Sequence, residues 1–354
     1  GLSDDCVAPE QLLAAAIARI RIEEKSGSYR EDRAQRAEPL TFSETELAFL
    51  GATGAAYIQQ QTKGHYPAPM AALETMLESV GKSVENSLQA EAKGMAQLFG
   101  SPVNAALLNV FFLGDRNKKD PGVAGVEKPK PIERLGIIGA GIMGAGIAAV
   151  SLRRGIAVGL TDARPEALQA AASKVLEEAA YDKKLKGPDP KKIAELAARL
   201  ALVAEAEQLA ERQLVIEAVV ENYDVKRELF ARLEPLLAEN AILASNTSSL
   251  PISRLAEGLA RPERLCGIHF FNPVRKMPLV EILRGEKTSD ETLAAAVAYA
   301  KQIGKSPIVV GDGPGFLVNR LLFPYMNEAL ALLAEGVPVK EIDRAATAFG
   351  MPMG

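Results

Sequence analysis

Leu135-Gly136-Ile137-Ile138-Gly139-Ala140-Gly141-Ile142-Met143-Gly144 passes from a short apolar run into a G-x-G-x-x-G spacing and then into a helical pattern. A buried strand, a glycine turn and a helix open a nucleotide-binding α/β sheet, and each glycine has its own steric task. Gly139 allows the tight turn, Gly141 lets backbone approach a pyrophosphate, and Gly144 lets the helix pack on the strand. Free N–H groups and partial positive charge at the start of the helix favour an anion there. The spacing alone also fits a plain tight turn. Asp162, 18 residues after Gly144 and at the end of the next strand-like run, favours the dinucleotide, because its carboxylate can accept bonds from a ribose diol and repel a 2′-phosphate. NAD is therefore expected over NADP, with Arg164 pulling the other way.

Beyond this unit, short Val/Ile/Leu runs alternate with long helical stretches, predicting an α/β fold: a doubly wound, Rossmann-like, mostly parallel sheet with helices on both faces. Strands are expected near 135–138, 157–161, 214–219, 241–244, 265–269, 280–283 and 307–310. Before the sheet, apolar positions recur at helical spacing over 9–22, 43–61, 67–80, 83–99 and 102–113, with Ser43 and Glu46 forming a capping box. The charged, Pro- and Gly-rich segment 116–131 is expected to be irregular. Helices resume over 316–335 and 339–349, predicting the start of an all-helical C-terminal domain.

With 354 residues, 48% apolar and 24% charged, the chain has material for two or three domains, which excludes wholesale disorder and disulfide scaffolds. Its 41 basic against 45 acidic residues and net charge of −4 argue against a nucleic-acid or anionic-membrane partner. The densest basic stretch, Lys183 to Lys192 around Gly187-Pro188, reads as a solvated helix end. Cys6 and Cys266 show no metal-ligand spacing, so two buried thiols in a reducing compartment, and no metal, are expected. No apolar run is long enough to span a bilayer, and a cytoplasmic location is expected.

Three polar clusters follow later strands: Val219-Val220-Glu221-Asn222, Ser245-Asn246-Thr247-Ser248-Ser249 and His269-Phe270-Phe271-Asn272-Pro273. Ligands bind at strand ends of such sheets. The Ser/Thr run also fits a helix cap before Pro251. His269 is one of two histidines; His65, in a Gly-His-Tyr-Pro turn, reads as structural. A histidine closing a strand near a nicotinamide can move the hydroxyl proton that leaves as hydride leaves carbon. Glu281, twelve residues on, is either its orienting partner or a surface carboxylate.

GAGIMG, AVVEN, SNTSS, HFFNPV with PLVEI, and PGFLVNR, in this order over about 134–354, resemble the (3S)-3-hydroxyacyl-CoA dehydrogenases. The opening nine residues, Tyr66-Pro67-Ala68-Pro69 and Asn104 to Leu113 resemble the end of the hydratase/isomerase domain and the helical linker of bacterial multifunctional fatty-acid oxidation enzymes, alpha subunit. The resemblance implies four parts: residues 1–28 as a hydratase/isomerase remnant, 29–130 as the helical linker, 131–311 as the NAD-binding domain, and 312–354 as the opening of the C-terminal helical domain. It implies His269 as catalytic base and Glu281 as its partner, with Ser248 and Asn319 holding the substrate oxygen and the nicotinamide region. Met143, Asp162, Val219, Val220, Glu221, Lys226, Ser248 and Asn272 match family positions around NAD.

The implied reaction is oxidation of a (3S)-3-hydroxyacyl-CoA by NAD in fatty-acid β-oxidation, with acyl-CoA as substrate and a thiolase partner in the full-length enzyme. No hydratase activity is expected. An apolar stripe through Phe316, Phe323, Leu330 and Leu333 would lack partner helices, leaving Asn319 loosely placed, slowing turnover and opening a route to self-association. Two rivals remain at this stage. One is a short-chain β-hydroxyacid dehydrogenase, whose catalytic lysine motif is not evident; the other is a non-catalytic NAD-binding scaffold that docks a thiolase.

Overall fold

In the computed structural model, which describes residues 5–38 and 41–354, the Leu135 run becomes an inner strand of an eight-stranded sheet. The chain divides into two compact units, Gly1–Phe111 and Phe112–Gly354. The first is helical: α1 (Leu12–Ser26), α2 (Ser28–Ala37), α3 (Glu44–Thr62), α4 (Pro67–Ser79), α5 (Val84–Leu98) and α6 (Pro102–Lys119), whose last residues belong to the second unit. Ser43 and Glu46 form the expected capping box of α3. The structure differs in two places. Gly27, a left-handed residue, ends α1, and α2, a helix that the apolar spacing does not announce, follows directly on it. Helix α6 runs past Leu113 into the segment expected to be irregular, where Arg116, Lys118 and Lys119 in its last turn complement the helix dipole.

The second unit contains β1 (Arg134–Ile138), α7 (Ile142–Leu152), β2 (Ala157–Thr161), α8 (Pro165–Ala179), β3 (Tyr181–Asp182), β4 (Gly187–Pro188), α9 (Pro190–Ala197), β5 (Leu200–Leu202), β6 (Leu214–Glu217) and α10 (Tyr223–Leu233). It continues through β7 (Ile242–Ser245), α11 (Ile252–Leu255), β8 (Leu265–Phe270), β9 (Leu279–Arg284), α12 (Asp290–Gln302), β10 (Ser306–Gly311), α13 (Val318–Ala334) and α14 (Val339–Phe349). Strand order is β10-β9-β8-β7-β6-β1-β2-β5, with β3 and β4 as a separate hairpin. From β5 to β8 all pairs are parallel; β9 runs antiparallel to β8 and parallel to β10. β5 and the β3–β4 hairpin were not anticipated; they are too short to leave a periodic signature.

Alternation along the inner strands fills a core on each face. Leu135, Ile137, Leu214 and Ile216 meet Ile147, Val175 and Tyr299 on one face, whereas Ile138, Val215 and Leu243 meet Phe230, Leu233 and Leu255 on the other. Each such side chain stabilises the sheet by about 1.5–3 kcal/mol when fully buried. Among the described residues no single helix is long and apolar enough to cross a membrane.

Candidate active site

The chain lays β1, β2 and β5 outward on one side, then returns to place β6, β7 and β8 on the other. The crevice between the ends of β1 and β6 is thus the switch point of the sheet, where ligands of such folds bind. The glycine turn that leads there divides its labour as expected. Gly139 has φ of 105°, and a Cβ on it would lie 2.5 Å from the carbonyl oxygen of Ala218 at the end of β6. A Cβ on Gly144 would lie 1.8 Å from the carbonyl of Gly139. Around Gly141, the N-cap of α7, a Cβ would meet nothing within 4 Å. Two glycines therefore serve protein packing, while the third leaves open room beside a helix N-terminus, as bound pyrophosphate requires. Met143, in the first turn of α7, is partly buried and packs against the core.

Asp162, at the end of β2, accepts from the Ala140 N–H at 2.8 Å through Oδ2 and from the Arg164 N–H at 2.9 Å through Oδ1. It braces the glycine turn while keeping lone pairs for a ribose. The Arg164 Nε stands 3.7 Å away and three-quarters of that side chain is exposed, so the arginine only partly offsets the acid.

At the end of β6 a buried polar network sets the other wall. Lys226 is 1% exposed and holds Glu217 at 2.6 Å and Glu221 at 3.1 Å. Glu217 also accepts from the Val219 N–H at 2.8 Å and the Ser245 hydroxyl at 2.7 Å, joining the ends of β6 and β7. Glu221 in turn accepts from the Thr247 hydroxyl at 2.5 Å and from the Ser248 and Ser249 amides at 2.8 and 3.1 Å. Burial pushes the Glu221 carboxyl up, but Thr247, Lys226 and the Ser248 amide outweigh it and hold the group below the usual carboxylate range. Glu221 thus shapes the Ser/Thr run, and the following helix, α11, has no side-chain cap. Lys226, expected around NAD, spends its ammonium on two carboxylates, leaving half-exposed Glu221 and exposed Val220 as the groups of this wall that face outward.

His269 and Glu281 are directly opposed across the antiparallel β8–β9 pair, so both side chains leave the same face at the same level. The His269 Nδ1 lies 2.7 Å from the Glu281 Oε2, and both side chains are buried. The other carboxylate oxygen, Oε1, accepts from the Leu317 and Val318 amides at 3.0 and 2.9 Å, where α13 begins. Burial raises the Glu281 pKa, but the bonds from His269 and from these two amides prevail and leave it below the usual range. Asn319 follows on α13 and donates to the Ser248 carbonyl at 3.3 Å. His269, Glu281, Ser248 and Asn319 are therefore brought together. Asn272 is exposed just beyond β8, on the same rim.

Two expectations change. Phe316, assigned to the apolar stripe, precedes α13 with φ of 51° and is 4% exposed, packed with the core and edge-on to His269 at 5.6 Å between ring centroids. Such a backbone costs a non-glycine residue about 1–2 kcal/mol. Phe323, Leu330 and Leu333 do face outward. Cys6 is exposed, whereas Cys266 is buried, and burial pushes its thiol up to about 12. Glu217 was missed, although an acid ending the run Leu214-Val215-Ile216 demanded a buried partner, and Lys226 lay nine residues on. His65 is exposed, its amide donating to the Thr62 carbonyl in the turn after α3.

The family model of the 3-hydroxyacyl-CoA dehydrogenase NAD-binding domain matches residues 134–313, and that of the C-terminal domain of the same family matches residues 315–354. The chain is 40% identical over 359 aligned residues to the fatty acid oxidation complex subunit alpha of Pseudomonas putida, and 39% over 358 to that of Pseudomonas aeruginosa. Both alignments take in all of this chain and 50% of the relative, so the chain spans about half the length of the curated relatives it matches. Among solved structures, the (S)-3-hydroxybutyryl-CoA dehydrogenase of Ralstonia eutropha superposes with a TM-score of 0.59 at 41% identity, covering 63% of this chain and 80% of that one. The 3-hydroxybutyryl-CoA dehydrogenase of Escherichia coli gives 0.59 at 36%, covering 63% and 48%. A glycine turn shaped for a dinucleotide and an aligned His–Glu pair are thus found where these relatives match, and the chain belongs to the 3-hydroxyacyl-CoA dehydrogenase family and carries its NAD-binding domain.

Proposed function

We propose that the chain catalyses reversible oxidation of a (3S)-3-hydroxyacyl-CoA to the 3-ketoacyl-CoA, with His269 as base. The observation that carries this is the His269–Glu281 pair on the rim that also holds the glycine turn. NAD, when bound, accepts the hydride from the carbinol carbon. Gly139, Gly141 and Gly144 admit its pyrophosphate to the start of α7, and Asp162 receives a ribose diol. With Nδ1 donating to Glu281, Nε2 is the nitrogen left to take the hydroxyl proton as the C–H bond breaks. The carboxylate fixes the ring and stabilises the imidazolium that forms. Ser248 and Asn319, tied to each other, flank the substrate oxygen. Orientation and the base are the protein's share of the catalysis.

The names of the P. putida and P. aeruginosa relatives support a place in fatty-acid β-oxidation; a thiolase partner and a cytoplasmic setting accompany that reading. So does the division into residues 1–28, 29–130, 131–311 and 312–354. A scaffold retaining NAD binding as a relic would have no use for an aligned base pair, so the enzymatic reading is favoured. Mixing the chain with NADH and a short 3-ketoacyl-CoA in a single-turnover assay tests it. Consumption of NADH that is abolished in His269→Gln is expected; bound NADH that is never oxidised would overturn the proposal.

A further inference from the structure

A bulky aromatic, Phe316, occupies a left-handed backbone position at the edge of the site. Phe316 follows Gly315, which is also left-handed at φ of 75°, and its amide donates to the Gly313 carbonyl at 2.9 Å. Two consecutive left-handed residues turn the next two amides, Leu317 and Val318, toward the Glu281 Oε1. Successive N–H groups in such a turn make an anion-holding concavity, and here the anion is the carboxylate that also holds the base. Glycine would satisfy this backbone at less cost. The phenyl ring instead lies buried beside the imidazole at an interplanar angle of 65°.

These contacts close a ring of interactions. His269 is bonded to Glu281, Glu281 to the turn after Phe316, and Phe316 returns to His269 through its side chain. Asn319 extends from the same turn to Ser248. We propose that Phe316 is a positioning residue, which braces the His269 imidazole and fixes the turn that sets Asn319, so that the base and the substrate-side amide move as one piece. The catalytic part of this inference rests on the dehydrogenase reading; the bracing does not.

The chain has only two histidines, so a ring N–H signal in a histidine-labelled sample is assigned by its loss in His269→Gln. In the unmodified chain a sharp, downfield Nδ1–H resonance is expected. In Phe316→Gly, which keeps the backbone and removes the ring, the resonance should broaden or move upfield. NADH affinity should stay within about twofold, and kcat should fall about tenfold or more with KM for the 3-ketoacyl-CoA changed less than about threefold, as a small misalignment of reacting groups predicts. Phe316→Leu keeps an apolar side chain in the pocket and guards against a folding defect: it should keep a cooperative melt and NADH affinity yet still lose kcat. An unaltered resonance and kcat in Phe316→Leu would overturn the proposal, as would NADH affinity falling in parallel with kcat in both variants. If the unmodified chain binds NADH without turnover, the dehydrogenase reading fails, and the resonance still decides whether Phe316 braces His269.

Discussion

The sheet rim and the flanking helices of this chain contrast in how their side chains are satisfied. On the rim, Lys226, Glu217, Thr247, His269 and Glu281 are buried polar groups, each with partners at hydrogen-bond distance. In the helical unit of residues 1–111, the one apolar side chain buried among the described residues is Ala90, while Phe49, Met76, Phe99 and Phe111 are exposed. Helix α13 likewise turns Leu321, Phe323 and Leu330 outward, although its first turn is seated on Glu281. Close packing makes each rim residue answerable to its neighbours, so a substitution there has a calculable consequence. An exposed helical face places no such demand, and the effect of a change is small unless something covers it.

The largest effect should come from His269→Gln, which leaves the glycine turn and Asp162 untouched. Turnover of a 3-hydroxyacyl-CoA should fall about 10²- to 10⁴-fold, or about 3–5 kcal/mol of barrier, with NADH affinity preserved. Loss of affinity together with rate would show that the rim is a single structural unit and not a cofactor wall beside a base. Lys226→Met tests the other wall. Stranding Glu217 without its ammonium should destabilise the sheet unit by about 3–5 kcal/mol in a denaturant titration. A change under about 1 kcal/mol would mean that water reaches Glu217.

Acid acts on the same rim. Glu221 and Glu281 are held below the usual carboxylate range. The stability they add is therefore whole above the ordinary carboxylate pKa of about 4.3 and is lost as pH falls through their lowered values. Near-UV circular dichroism should hold steady from neutrality to about pH 5 and decline below about pH 4; a loss centred at pH 6 would assign the transition to a different group.

What the sequence disclosed follows the same contrast. The glycine turn and Asp162 were legible because their logic is local: a Cβ at 139 or 144 collides with backbone, whatever the rest of the chain does. Glu281 was not legible by spacing, because its pairing with His269 exists only once β9 reverses direction against β8. The burial of Lys226 against Glu217 and Glu221 is not legible either, because its depth depends on how α10 packs. Phe316 was lost to the helical period that follows it: the two left-handed residues before α13 shift it off that face and into the core.

Asp162→Asn should have a smaller consequence. The amide oxygen can still accept from the Ala140 N–H, so the glycine turn survives, but the charge that repels a 2′-phosphate is gone. NADH affinity should weaken by about tenfold, the scale of one charge-assisted hydrogen bond, and the gap to NADPH should narrow. Fluorescence titration of both cofactors measures this. If the unmodified chain binds NADPH as well as NADH, Arg164 cancels the acid after all.

The smallest effect is expected at Leu330, once the two regions are compared by one and the same substitution. Leu233 ends α10 with no exposed surface, in the core beneath the β6 rim, whereas Leu330 lies on α13 and is 62% exposed. Leu→Ala removes the same atoms from a helix in both, and the helix-propensity difference between the residues is common to the pair. At Leu233 the loss includes transfer of the buried side chain and the cavity left behind, about 2–5 kcal/mol. At Leu330 most of the side chain already meets water, so the change in unfolding free energy should lie within about 0.5 kcal/mol. Both are measured as shifts of the denaturant midpoint at unchanged m-value. Should Leu330→Ala cost as much as Leu233→Ala, the outward face of α13 is covered in solution, and the contrast between rim and flank dissolves for that helix. If its cost grows with protein concentration, the cover is another copy of the chain, because only an association equilibrium makes apparent stability depend on concentration.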